Sequence, residues 1–278
     1  EEGVSAYPQE VTPQMILNFI NGGAAVSVFA RHVGARIVCV DVGVISDMDN
    51  PKIINKKIMR GTNNMAKGPA MTIEEANRAL EVGIQMANKE IDKGADILAT
   101  GEMGIGNTTP SSAILSVYSD ESLERLVGKG TGLNDSGLSL KIQVIKKAIE
   151  VNNPKPEDPI DVLSKVGGLE IGSIAGLIVG AASRKVPIVI DGFISTAGAL
   201  IASKIEPKVA NYIVASHASE EPGHKIMLEL IGLEPMLHTR MRLGEGTGAV
   251  LAFNIVEASV KMINEMASFD EAGVSQKS

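Results

Sequence analysis

Tryptophan is absent from the 278-residue sequence, and aromatic residues make up only 3% of it. That argues against the stacking platforms on which single-stranded nucleic acids are held. Basic residues do not dominate either. The formal net charge is −7, so the chain is not a general binder of phosphate backbones, and any phosphate it holds needs a local site. One cysteine, Cys39, excludes an internal disulfide framework and a multi-cysteine metal cluster, and it fits a reducing, cytoplasmic setting. Cys39 lies in the apolar run 37–40 and is expected to be a buried, inert thiol. No apolar run approaches the ~18 residues that span a membrane; the longest covers 171–183. The start of the chain carries no signal-peptide pattern. Its first residues, Glu-Glu-Gly-Val-Ser, read as the interior of a longer chain, so a preceding N-terminal segment is expected.

What is present is ordinary globular material, 44% hydrophobic and 21% charged, enough to bury a sizeable core. The pattern predicts helices over 11–20 (Thr12 as N-cap, Pro13 in the first turn) and 24–33, then a buried strand over 36–44. Residues 46–68 read as a long polar loop. The segment 72–93 is the strongest helix and opens on a capping box, Thr72 with Glu75. Strands are expected over 96–100, 187–190 and 211–215. Helices are expected from near Thr109-Pro110, over 136–151, 168–182, 195–205 and 223–231, and over 248–267, with a linker at 152–159. Glycines 168, 172, 176 and 180 form a stripe that permits close helix packing, and the methionines read as core fillers. The alternation predicts an α/β fold, a parallel sheet covered by helices on both faces, with ligands beyond the carboxyl ends of the strands.

The residues that follow each strand are therefore the candidates. After 96–100 comes GEMGIGNTTPSSA (101–113). Its glycines admit a ligand close to the backbone, Thr108 or Thr109 can cap the next helix, and the free amides there form an anion site. The loop is not a Walker motif, and Gly104 and Gly106 lack the third glycine of a dinucleotide fingerprint. Glu102 beside a phosphate cradle must serve another part of the ligand. Asp191 ends the next strand, and a site acid and a helix cap are equally open readings. Ser216 and His217 are candidate polar contacts. His224 is expected at the surface, and His32 and His238 stand alone, so no metal set is expected. Glu245 sits between Gly244 and Gly246 ahead of a long apolar helix; a site carboxylate is the stronger reading over a first-turn glutamate. Lys141, with Lys129 second, is a candidate cation for a phosphate.

Seven segments in order carry a resemblance that covers essentially the whole chain: EGVSAYPQEVT (2–12), RGTNNMAKGPAM (60–71), GEMGIGNTTP (101–110), DVLSKVGGLE (161–170), DGFISTAGAL (191–200), ASH (215–217) and RLGEGTGA (242–249). Together they resemble the nicotinate-nucleotide–dimethylbenzimidazole phosphoribosyltransferases. The resemblance implies transfer of phosphoribose from nicotinate mononucleotide to 5,6-dimethylbenzimidazole in cobalamin nucleotide-loop synthesis, giving α-ribazole 5′-phosphate and nicotinate. It implies no cofactor, because the phosphate only anchors. It also implies a dimer, with itself or with a related chain. By resemblance, Glu245 is the catalytic base and Glu102 and Asp191 are acidic active-site positions. Met103, Gly104, Ile105, Gly106, Asn107 and Thr108 cradle the phosphate and ribose, with Lys141, Gly130 and Ser216. Tyr7, Met15 and Leu243 line the base pocket.

The implied organisation is a helical part of a small domain at 1–35, a catalytic core at 36–250 and a C-terminal helix at 251–278 returning to the small domain. Two departures stand out. The Asp-His-Gly motif that precedes EGVSAYP in the family is absent, so the small domain is incomplete. Met15 stands where some members carry a hydrogen-bonding Gln, which opens phenolic or purine acceptors as an alternative. Outside this class, a nicotinamide-dependent oxidoreductase fails on the incomplete fingerprint. A non-catalytic nucleotide-binding subunit is opposed by the retained Glu245, Glu102 and Asp191.

Overall fold

The computed structural model describes residues 1–130 and 132–275. Helices α1 (Val11–Ile20) and α2 (Ala25–Val33) come first, then strands β1 (Cys39–Asp41) and β2 (Ile53–Asn55) and helix α3 (Ile73–Asp92). Strand β3 (Leu98–Ala99) leads into α4 (Thr108–Tyr118), the single turn α5 (Leu123–Leu126), α6 (Asp135–Asn152), α7 (Pro159–Val166) and α8 (Leu169–Ser183). Strand β4 (Ile188–Ile190), α9 (Phe193–Ile205), β5 (Ile213–Ala215), α10 (Gly223–Ile231) and α11 (Thr247–Glu265) complete the order.

The main sheet is parallel, in the order β3-β4-β5, and β4 shows why both its faces are apolar. Ile188 and Ile190 point into the large core with α8 and α9, while Val189 points the other way and packs on Ala249 and Ala252 of α11. A strand covered on both faces reads as an unbroken apolar run rather than an alternation. The expected α/β class with a parallel sheet under helices is what the chain forms.

Two close approaches shape this core. Helix α3 begins on the predicted capping box: Thr72 Oγ1 accepts from the Glu75 amide at 3.1 Å, and Glu75 accepts from the Thr72 amide at 2.8 Å. Along α8, a Cβ at Gly176 would strike the Leu80 carbonyl, and a Cβ at Gly83 of α3 would strike the Ser173 carbonyl. The two helices thus meet backbone to backbone, and the stripe at 172, 176 and 180 makes that contact. Gly168 instead leaves room for the Glu170 carboxylate.

The structure corrects several expectations. The strand over 36–44 shortens to β1, which pairs with β2 in a separate two-stranded parallel sheet rather than joining the main one. Strand β2 lies in the predicted loop. Asn50 accepts from the Lys52 amide, making a turn that aims Ile53 at Ile16 and Val44. Thr12 does not cap α1; its Oγ1 faces inward and accepts from the Ile105 amide at 3.1 Å. Neither Thr108 nor Thr109 caps α4, which starts after Asn107 without a side-chain cap. Helix α7 occupies the end of the expected linker and beyond, capped by Asp158, which accepts from the Ile160 and Asp161 amides, with Pro159 in its first turn. Cys39 is half-buried, and burial pushes its thiol up. Among the described residues, no helix is long and apolar enough to cross a membrane.

Candidate active site

Three backbone segments converge at the carboxyl ends of β3 and β4. Thr100 closes them: its amide donates to the Val189 carbonyl, and its Oγ1 accepts from the Asp191 amide, both at 3.0 Å. The loop before α11 lies against them so closely that a Cβ on Gly101 would sit 2.5 Å from the Glu245 carbonyl oxygen. Gly244, Glu245 and Gly246 run through three successive left-handed conformations, with φ of 84°, 66° and 101°. For Glu245 this costs about 1–2 kcal/mol, so something must hold it. Asp191 does: its carboxylate accepts from the amides of Gly246 (2.9 Å), Gly248 (2.8 Å) and Ala249 (3.2 Å). It therefore caps α11 across the site, not α9, the helix that follows it.

Held this way, Glu245 reaches the start of α2, where its Oε2 accepts from the Val26 amide at 3.3 Å. Burial pushes the Glu245 carboxyl above the ordinary value, the Asp191 charge adds to that, and the α2 amides oppose it. Glu102, from the loop after β3, is pushed up to about 8, chiefly by burial; the Asn107 hydrogen bond resists, and the charges of Glu170, Asp191 and Glu245 reinforce it. The sequence reading did not single out Glu170. It sits in the first turn of α8, where a glutamate is expected on dipole grounds alone. Its carboxyl is also raised by burial. The Asn107 side-chain amide donates to both Glu102 (2.5 Å) and Glu170 (3.1 Å).

A cavity of about 1510 Å³ opens here. Glu102, Glu170, Glu245, the loop Met103–Asn107 and Tyr7 all line it. Thr108, Lys141, Gly130 and Ser216 lie outside its wall. Lys141 is two turns into α6 and completely buried, with Nζ donating to Thr108 Oγ1 (2.8 Å) and the Gly128 carbonyl (3.1 Å). Gly130 packs beside it, and Glu221 faces it. Burial pushes this lysine down to about 8, against the pull of Glu221. Lys129 is spent on a surface ion pair with Asp135 at 2.7 Å.

Ser216 is buried, its Oγ 2.9 Å from His217 Nδ1, and the His217 ring fills the space a Cβ at Gly248 would need. His224, expected at the surface, is a satisfied core histidine. Its Nδ1 accepts from the Ser219 amide and its Nε2 meets Thr196 Oγ1, each at 2.9 Å. Met15 packs with the core cluster under α2. Tyr7 and Leu243 are 54% and 60% exposed.

Comparison with known proteins gives this arrangement its class, that of the phosphoribosyltransferases, whose family model matches residues 1–274. The nicotinate-nucleotide–dimethylbenzimidazole phosphoribosyltransferase of Geotalea uraniireducens (strain Rf4) is 58% identical over 277 residues, which is 99% of this chain and 79% of that protein. The protein of the same name from Chloroflexus aggregans is 52% identical over 277 residues, 99% of this chain and 78% of that protein. The crystal structure of CobT from Thermus thermophilus matches with a TM-score of 0.95 at 45% identity, covering 99% of this chain and 83% of that one. The chain belongs to the nicotinate-nucleotide–dimethylbenzimidazole phosphoribosyltransferase family.

Proposed function

We propose that this chain transfers the phosphoribosyl group of nicotinate mononucleotide to 5,6-dimethylbenzimidazole, giving α-ribazole 5′-phosphate and nicotinate. One observation carries this reading. A single loop supplies both the start of α4, where backbone amides favour an anion, and Glu102, which meets Glu170 and Glu245 on the wall of the same cavity. A donor with a phosphate at one end and a cationic pyridinium at the other matches that polarity.

In the reaction, the bond from the anomeric carbon to the pyridinium nitrogen breaks with its electron pair, so the nicotinate ring leaves neutral and needs no general acid. The sugar passes through an oxocarbenium-like state, which the negative charge of the Glu102–Glu170 pair stabilises across a partly desolvated cavity. One ring nitrogen of the benzimidazole attacks from the opposite face, which accounts for the α product. Glu245 takes the proton that the other ring nitrogen loses, a contribution of about 10²–10⁴-fold. Its raised carboxyl pKa suits that task. Lys141 reinforces the cradle from behind Thr108, and Asp191 acts on the loop that carries Glu245. The test is to incubate the protein with nicotinate mononucleotide and a panel of benzimidazoles, purines and phenols, and to identify products by mass. The expected result is α-ribazole 5′-phosphate with an equal amount of nicotinate; turnover of phenols or purines alone would overturn the acceptor.

A further inference from the structure

Glu102 and Glu170 come from different parts of the chain, the loop after β3 and the first turn of α8, yet both end on one donor, the side-chain amide of Asn107. Among the described residues, neither carboxylate has a lysine, arginine or histidine in an ion pair. The charged groups that face Glu102 are all acids: Glu170 from α8, Asp191 from the end of β4 and Glu245 from the loop before α11. The pocket for Glu170 is built. A Cβ at Gly104 would sit 3.0 Å from Asn107 Nδ2 and 3.1 Å from Glu170 Oε1, wedging into that hydrogen bond. A Cβ at Gly168 would sit 3.0 Å from Glu170 Oε2. Two glycines thus leave room for this carboxylate to reach Asn107.

Two half-buried carboxylates that share one neutral donor, with no cation among the described residues in an ion pair with either, do not both ionise. We propose that Glu170 is a positioning residue that shares a single proton with Glu102 in the ligand-free protein, with Asn107 holding the two acids in register. The pair then carries one negative charge in place of two and presents the cavity with both an anionic oxygen and an O–H donor. The raised carboxyls of both residues agree with this. Asn107 fixes orientation and pulls the other way, favouring the ionised forms. The catalytic consequence rests on the function proposed above: the donor's own carboxylate meets a half-neutralised pair, while the developing sugar cation still meets its negative charge.

The pair can be tested apart from that function by difference infrared titration of the ligand-free full chain. The wild-type protein should show a protonated-carboxyl band that titrates near pH 8. Glu170→Gln keeps an oxygen acceptor for Asn107 but removes the neighbouring charge, so the midpoint of the band should fall by about one pH unit. A midpoint unmoved by Glu170→Gln overturns the proposal. If that variant does not fold, Glu102→Gln carries the test: the band near pH 8 must vanish, and its survival overturns the proposal equally. In the transfer assay, the alkaline limb of kcat/KM that marks the second ionisation of the pair should disappear in Glu170→Gln, because Glu102 alone carries no more than one negative charge. A shifted infrared band with no transfer activity in any variant would keep the proton pair and sink the substrate assignment instead.

Discussion

Asp191 and Glu245 are joined through backbone. The Asp191 carboxylate gathers the amides of Gly246, Gly248 and Ala249, and the residue just before those amides, Glu245, is thereby held at a φ of 66° with its own carboxylate on the Val26 amide. One buried acid therefore sets the conformation of another. The expected outcome of Asp191→Asn is a loss of both stability and rate, because an amide group would turn donors toward donors. Leaving such buried amides unpaired costs about 1–3 kcal/mol, measurable by denaturant unfolding. Transfer activity should fall at the same time, while the Glu245 side chain remains chemically intact.

Packing of α8 on α3 predicts a sharp contrast between two glycines. Gly176→Ala forces a Cβ into the Leu80 backbone, which cannot retreat as a side chain would. Overpacking of this kind costs about 1–3 kcal/mol, visible as a lower Tm. Gly68→Ala places its Cβ in open space, and its stability should stay within about 0.5 kcal/mol of wild type.

Much of this architecture was legible from short-range signals. The capping box at Thr72 and Glu75, the glycines at 172, 176 and 180 and the apolar run of β4 each act through neighbours in the sequence, and the structure uses them as read. Gly168 instead serves Glu170, and residues 211–212 close a 3-10 turn (Pro207–Tyr212) ahead of β5. The signals that misled were also local. Thr12 looked like a cap but serves a loop 93 residues away. His224 looked like a surface residue because nothing near it in sequence shows that Ser219 and Thr196 satisfy both ring nitrogens. Glu170 was invisible as a site residue, since a glutamate in a first helical turn needs no further reason. Only the fold brings it to Asn107. Asp158-Pro159 marks the start of α7 with an N-cap aspartate followed by proline, a signal that the linker reading of 152–159 passed over.

Lys141 makes a linked prediction for stability and binding. Burial lowers its pKa from 10.5 to about 8. In the native state it gives up its proton earlier than in the unfolded chain, so its burial costs stability fully below about pH 8 and the cost is relieved as pH rises toward 10.5. Wild-type stability should therefore rise with pH between about 8 and 10.5, and Lys141→Met should abolish that rise, read by denaturant unfolding across the range. The same variant should weaken nicotinate mononucleotide by about tenfold or more, read by calorimetry. Unchanged affinity would remove Lys141 from the phosphate anchor.

The role of Glu245 is tested most directly by Glu245→Gln, which keeps an oxygen acceptor for the Val26 amide and removes only the basic carboxylate. Nicotinate mononucleotide affinity and kcat/KM for transfer to 5,6-dimethylbenzimidazole should be measured on the same preparation. The expected result is unchanged nucleotide affinity with kcat/KM lowered by about 10²–10⁴-fold. Transfer at the wild-type rate would contradict the assignment of this glutamate as the base.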